Sequence, residues 1–223
     1  MVLGHYGLAL GAKRLTPRSS LGFLVLAAQL ADLFWPIMLL SGVESVEIVR
    51  GRPALLRLDF VRYPITHSLL VEVVSGLLFG ALYLLFSKDR RGALVCALLV
   101  PSHWLLDVIV HVPDLPLWPG GPKFGLGAWH SPALTLALEA VLFVGGVVVY
   151  SRSTRAKNKV GQFSLWGFVV ALVAGYLSAL LGPPPQDPGS LARFTLCLWI
   201  FVPWAFWIDR HRANARHGPT AIT

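Results

Sequence analysis

The sequence predicts an all-α fold: a polytopic membrane helical bundle of about six transmembrane helices, with a short re-entrant or interfacial helix at the N-terminus. Three observations lead there. Of the 223 residues 55% are hydrophobic and 13% charged, with mean hydropathy +0.65, whereas soluble domains carry about a quarter charged residues. The apolar residues fall into stretches of the length that crosses a hydrocarbon core of about 30 Å. The basic residues sit in short clusters between those stretches. The net charge of +8 is therefore no nucleic-acid signature, since no basic, aromatic-interleaved surface accompanies it. The partner that the composition implies is the lipid bilayer, and no nucleic acid.

The elements follow in order. Residues 1 to 12, MVLGHYGLALGA, are apolar but reach only about 18 Å as a helix, too short to span. Lys13, Arg14 and Arg18 follow this run rather than precede it, and no small-residue cleavage site is evident, so the segment is expected to be retained rather than removed as a signal peptide. Spanning helices are predicted over roughly 21 to 41, 66 to 86, 92 to 112, 130 to 150, 162 to 182 and 190 to 208. There is room for a single integral membrane domain over 1 to 223, with the chemistry-bearing motifs in 1 to 112 and a lid loop and the remaining helices in 113 to 223.

Calling the side on which the first span starts side A, its loops hold Lys13, Arg14, Arg18, Lys88, Arg90, Arg91, Arg152, Arg155, Lys157, Lys159, Arg210, Arg212 and Arg216. Side B holds only Arg50, Arg52, Arg57, Arg62, Lys123 and Arg193. The positive-inside rule makes side A cytoplasmic, with both termini there. Side B has the longer connections. Residues 113 to 129, PDLPLWPGGPKFGLGAW, have the composition of a compact loop that lies over the bundle mouth. Cys96 and Cys197 lie within spans and form no paired ligand spacing, so neither a disulfide framework nor a cysteine zinc site is expected.

The chemistry lies in four acids inside the apolar stretches, Asp32, Glu72, Asp107 and Glu139, with no lysine or arginine near the middle of any of them. A carboxylate in hydrocarbon must be neutralised by a proton, an ion pair or a metal. Histidines share those depths. On a helix, His103, Asp107, His111 and Asp114 fall at about 0°, 40°, 80° and 20°, one narrow stripe, although Pro113 is expected to end or distort the helix before Asp114. His103 and Asp107, four apart, can aim an imidazole nitrogen and a carboxylate oxygen at one ion; as an isolated pair they fit a hydrogen bond inside the bundle equally well. Asp32, in LAAQLADLFWPIM, has no local partner. His67 stands in YPITHSLL, where Pro64 precedes the helix and Thr66 can cap it. His5 approaches the depth of Asp32 only if residues 1 to 12 re-enter the membrane. Glu72 and Glu139 are candidate general bases, or else protonated structural acids. Arg62, His111 and His130 are candidates for the mouth of the site.

Taken in order, GHYG, ADLFWP, YPITHSLL and SHWLLDVIVH resemble the motif series of the bacterial membrane-bound metal-dependent hydrolase family, which includes the LexA-binding, inner-membrane-associated type. In that family an N-terminal His, a PDxDH-like stretch, HRGxTHS and SHxxxD recur in this order. The resemblance covers roughly residues 1 to 112, and THS with SHxxxD is its most specific part. It implies His5, Asp32, His67, His103 and Asp107 as metal ligands. Phe34 and Arg62 stand where the family pattern has its second Asp and the first His of HRGxTHS, so one ion is expected rather than two.

These readings converge on an integral membrane hydrolase of the bacterial inner membrane that uses a His/Asp-bound divalent ion to activate water. Zinc comes first for mixed nitrogen and oxygen ligands, with manganese or iron as alternatives. A site within the bilayer favours a lipid or lipid-linked ester as substrate. Two competing readings stay open at this level: a proton- or metal-coupled transporter with the same groups along an ion path, and a non-catalytic anchor whose acids and histidines are structural.

Overall fold

The computed structural model describes residues 1 to 215; Arg216, counted above with side A, lies outside the described residues. The helices are α1 (Leu3–Ala12), α2 (Leu21–Ala28), α3 (Leu30–Leu40), α4 (Leu69–Ser87), α5 (Arg90–Val110), α6 (Pro132–Ser153), α7 (Lys159–Leu181), α8 (Pro188–Thr195) and α9 (Phe201–Arg210). Three two-stranded antiparallel ribbons lie in the connections. They are β1–β2 (Ser45–Ile48 and Leu58–Arg62), β3–β4 (Leu115–Pro116 and Lys123–Phe124) and β5–β6 (Thr154–Ala156 and Arg212–Asn214).

Among the described residues five helices are long and apolar enough to cross a membrane, α8 to α9 counting as one, and up to six if the bent pair α2 and α3 is taken as one span. Their outward faces are apolar, as at Leu77, Leu78, Leu85, Val141, Phe163, Val170 and Leu181, which suits contact with lipid tails rather than water. Local signals set the ends. Asn158 Oδ1 accepts from the Gly161 amide at 2.9 Å to start α7, and Pro132 opens α6 after the cap residue Ser131. Asp187 and Ser190 form a reciprocal capping box at α8.

Two departures from the expected spans bear on the site. The first span is broken at Gln29, whose backbone (φ −105°, ψ 7°) leaves the helical region, and α2 and α3 diverge by 53°. The second spanning helix begins at Leu69, so Thr66 and His67 lie in the turn before it; the residue at the cap position is Ser68. Lys13, read above as a loop charge, is buried. Its Nζ donates to the Ser19 carbonyl at 2.7 Å and to Asp209 Oδ2 at 2.8 Å, fastening the end of α1 to α9.

Because α1 is too short to span, it must be held by packing. It lies against α6, α2 and α5. Gly7 and Gly146 face each other so closely that a Cβ on either would collide with the other helix's backbone, the small-residue contact on which helix association in membranes depends. Gly76 and Gly80 do the same for α4, against Ala93 and Ala97 of α5. On side B, Lys123 and Phe124 close a ribbon whose Leu117 carbonyl accepts from the Leu70 amide at 2.9 Å, while the Pro116 carbonyl accepts from Trp104 Nε1 at 3.2 Å. The Pro/Gly/Trp loop is thus tied down over the ends of α4 and α5.

Replacing Gly146 with leucine is expected to push α1 away. Overpacking of this kind costs about 1–3 kcal/mol, seen as a lower thermal midpoint in detergent, whereas Gly145→Leu, which meets open space, leaves the midpoint unchanged.

Candidate metal centre

The site is built where α1, α5, the α2–α3 break and the turn before α4 meet, toward the side B ends of the helices. His103 and Asp107 sit one above the other on α5, and both are buried. His103 lies about 10 Å inward from the end of that helix at 1.5 Å per residue, so the site is less deep than mid-span. Asp32 occupies the first turn of α3, just past the break. Of the predicted stripe only His103 and Asp107 lie on α5, because the helix stops at Val110 and His111 is extended (φ −64°, ψ 149°); all four of His103, Asp107, His111 and Asp114 are nonetheless buried.

Four atoms form a closed ring. Asp32 Oδ1 lies 3.6 Å from His67 Nε2 and 3.6 Å from His103 Nε2; Asp107 Oδ2 lies 3.8 Å from His67 Nε2 and 3.3 Å from His103 Nε2. Bonds of ~2.1 Å to a tetrahedral ion place neighbouring donors about 3.4 Å apart. Asp32, His67 and His103 form one group of metal-compatible donors, and His5, His103 and Asp107 form a second. His5 stacks on His103 with centroids 3.7 Å apart and rings 11° from parallel, and its Nε2 is 3.0 Å from Asp107 Oδ1. The same carboxylate oxygen accepts from the amino group of Met1. Asp107 therefore does have a cationic partner, which the distribution of lysine and arginine could not disclose.

Whether the ring suits a cation rather than a set of hydrogen bonds is decided by where the imidazole protons go. His103 Nδ1 is 2.9 Å from the carbonyl of Ala28, the last residue of α2. A carbonyl only accepts, so Nδ1 carries a proton; in the neutral ring Nε2 is then a lone pair, and it has no hydrogen-bond partner. His67 is fixed by a relay. The Glu44 carboxylate accepts from the Ile65 amide (2.9 Å), the Thr66 amide (2.8 Å) and the Thr66 hydroxyl (2.7 Å). With its proton committed to Glu44, Thr66 Oγ1 accepts from His67 Nδ1 at 2.8 Å, and Nε2 of His67 is bare as well. In the neutral rings two lone pairs thus face two carboxylates, an arrangement that is repulsive until a positive charge, a metal ion or a proton on Nε2, lies between them. Partners that fix the tautomer of a histidine are a hallmark of metal-ligand sites.

Other expected residues are placed elsewhere. Arg62 is exposed and its Nη2 donates to the carbonyls of Gly42 (3.2 Å) and Val43 (2.7 Å), so it ties the end of β2 to the connection between α3 and β1. Glu139 grips α1, with Oε1 and Oε2 accepting from the amides of Val2 and Gly4 at 2.7 Å each. Such a carboxylate at a helix start is a cap. Glu72 Oε2 accepts from the Trp104 amide at 3.1 Å, while its Oε1 is buried without a partner. His130 is exposed at the start of α6 and touches none of the ring atoms among the described contacts. Tyr63, outside the spans, packs on the His67 ring (5.2 Å). Burial, and then the nearby charge of Asp114, raise its phenol above the ordinary range, so it stays protonated.

Asp32 is the least enclosed member of the ring, its side chain 19% exposed against 1–4% for His67, His103 and Asp107. The approach to the site is therefore at Asp32, along the break in the first span.

Sequence reasoning missed Glu44 and the break at Gln29. Glu44 lies 22 residues from Thr66 in a connection of mixed charges, and no spacing rule links the two. Replacing Glu44 with glutamine should release the Thr66 hydroxyl and weaken divalent-metal affinity by about 10–100-fold, read by titration with zinc while helical content is unchanged.

No family model matches the chain, and comparison with curated proteins and with solved structures returned no match.

Proposed function

We propose that the chain is a metal-dependent hydrolase embedded in the membrane, with Asp32, His67, His103 and Asp107 holding a divalent cation and His5 supporting Asp107. The observation that carries this reading is the pair of imidazole nitrogens facing the carboxylates of Asp32 and Asp107, each ring oriented by a partner on its far side. Two imidazoles and two carboxylates suit zinc first, then manganese or iron. Such an ion supplies a water of lowered pKa and polarises a carbonyl or phosphoryl oxygen.

The remaining work falls to the chain's own residues. Asp32, being partly exposed, borders the path by which substrate and water reach the ring. Glu72 keeps one carboxylate oxygen free of hydrogen bonds, which suits it better than Glu139 to take a proton. The Trp104 amide holds its other oxygen. Lipid-facing helices around the ring favour a lipid or lipid-linked ester as substrate, and the motif series found in the sequence, with its bacterial inner-membrane family, supports hydrolysis over transport. The ionisable groups gather within one hydrogen-bonding neighbourhood rather than stringing along the bundle, which also favours a reaction centre over an ion path. In this reading side A, with the larger share of basic residues, is cytoplasmic.

Elemental analysis of gently purified protein tests the metal. We expect a stoichiometric divalent ion in the wild type and its loss in His103→Ala and Asp107→Ala. Hydrolysis of lipid esters and phosphodiesters should fall at least 100-fold in the same variants. Wild-type protein that binds no divalent ion at micromolar concentrations overturns the proposal.

A further inference from the structure

The ring of four leaves out one histidine with the same chemical signature. His111 is buried just past the end of α5, kept in register by its amide, which donates to the Asp107 carbonyl at 2.8 Å. Its Nδ1 lies 3.0 Å from Asp114 Oδ1, and a carboxylate accepts, so the proton is on Nδ1 and Nε2 is a lone pair. That lone pair faces Asp107 Oδ2 at 3.6 Å. The ring cannot swing away: Trp129 packs on it with centroids 3.9 Å apart, and Phe60 lies at 5.2 Å. His111 therefore repeats what His67 and His103 show, an imidazole locked from behind and presenting its bare nitrogen to a buried carboxylate oxygen.

We infer that His111 and Asp107 form a second divalent-cation position beside the first, with Asp107 bridging the two ions and Asp114 acting as the positioning residue of His111. This rests on the metal reading above and deepens it. Only two protein donors face this position, so it binds the weaker ion, and the remaining coordination sites go to water and substrate. Paired ions about 3.5–4 Å apart stabilise the attacking and leaving oxygens of a displacement at phosphorus. The substrate class is therefore a phosphate ester, and for a site that opens among lipid-facing helices, the phosphate of a lipid. Phe34 and Arg62, which stand at two positions of the family's motif, take no part; the second position draws on a histidine outside that motif.

The experiment uses Mn²⁺ as the probe on full-length protein in detergent, read by paramagnetic resonance and equilibrium binding. Wild-type protein is expected to bind two Mn²⁺ per chain, the second at least 10-fold weaker, with an exchange-coupled spectrum at saturation. His111→Phe keeps an aromatic ring between Trp129 and Phe60 but has no lone pair. It should bind one Mn²⁺ with an uncoupled six-line spectrum, and its retained first ion reports that the fold is intact. Asp114→Asn should weaken the second ion about 10–100-fold and leave the first unchanged. One ion per chain in the wild type, lost in His103→Ala, overturns this inference and leaves the hydrolase reading standing. Two ions unaffected by both His111→Phe and Asp114→Asn overturn it as well. No bound ion at all overturns both.

Discussion

The constraint on which the structure turns is the burial of the Asp107 carboxylate. Both of its oxygens lie in the interior of the bundle, where an uncompensated charge is not tolerated, and several parts of the chain are arranged to meet it. Helix α1 brings His5 and the Met1 amino group to Oδ1, while the turn before α4 brings His67 toward Oδ2. Helix α5 itself supplies His103 one turn before and His111 one turn after. The otherwise unusual features of the fold follow from this gathering. A helix too short to span is pulled inside, and a glutamate on α6 grips the first amides of that helix.

The same logic explains why the polar groups behind the histidines matter as much as those in front. A neutral imidazole has one donor and one acceptor nitrogen, and what fixes the donor decides what the other can bind. Here the fixing groups come from three unrelated places: a helix-end carbonyl at Ala28, a hydroxyl at Thr66 whose proton is taken by Glu44, and the carboxylate of Asp114. Each leaves Nε2 pointing at a carboxylate. Chance hydrogen bonding within a bundle would as readily have paired donors with those acids.

Much of this was legible in the sequence. The six apolar stretches follow from composition and length, the alignment of His103 with Asp107 follows from helical periodicity, and the order of the short motifs drew attention to His5, Asp32 and His67. What was hidden depends on contacts between residues far apart in the chain. Helical geometry gives the spacing of His103 and Asp107, but nothing local relates Glu44 to Thr66 or Glu139 to the amide of Val2. His67 reaches Asp32 because α3 starts anew beyond Gln29 and because His67 lies in a turn rather than in a helix. Arg62, a candidate for the mouth of the site in the sequence, is in space a brace for the loop before β1.

The interruption at Gln29 also governs the mechanics of the first span. Helix α2 is wedged among α1, α5 and α9, whereas α3 leans on α8 at the rim. The two halves therefore pack on opposite ends of the α8–α9 span and meet at a single non-helical residue. Because Asp32 rides on α3 while His103 and Asp107 ride on α5, the bend at Gln29 sets the spacing between one carboxylate of the ring and its partners.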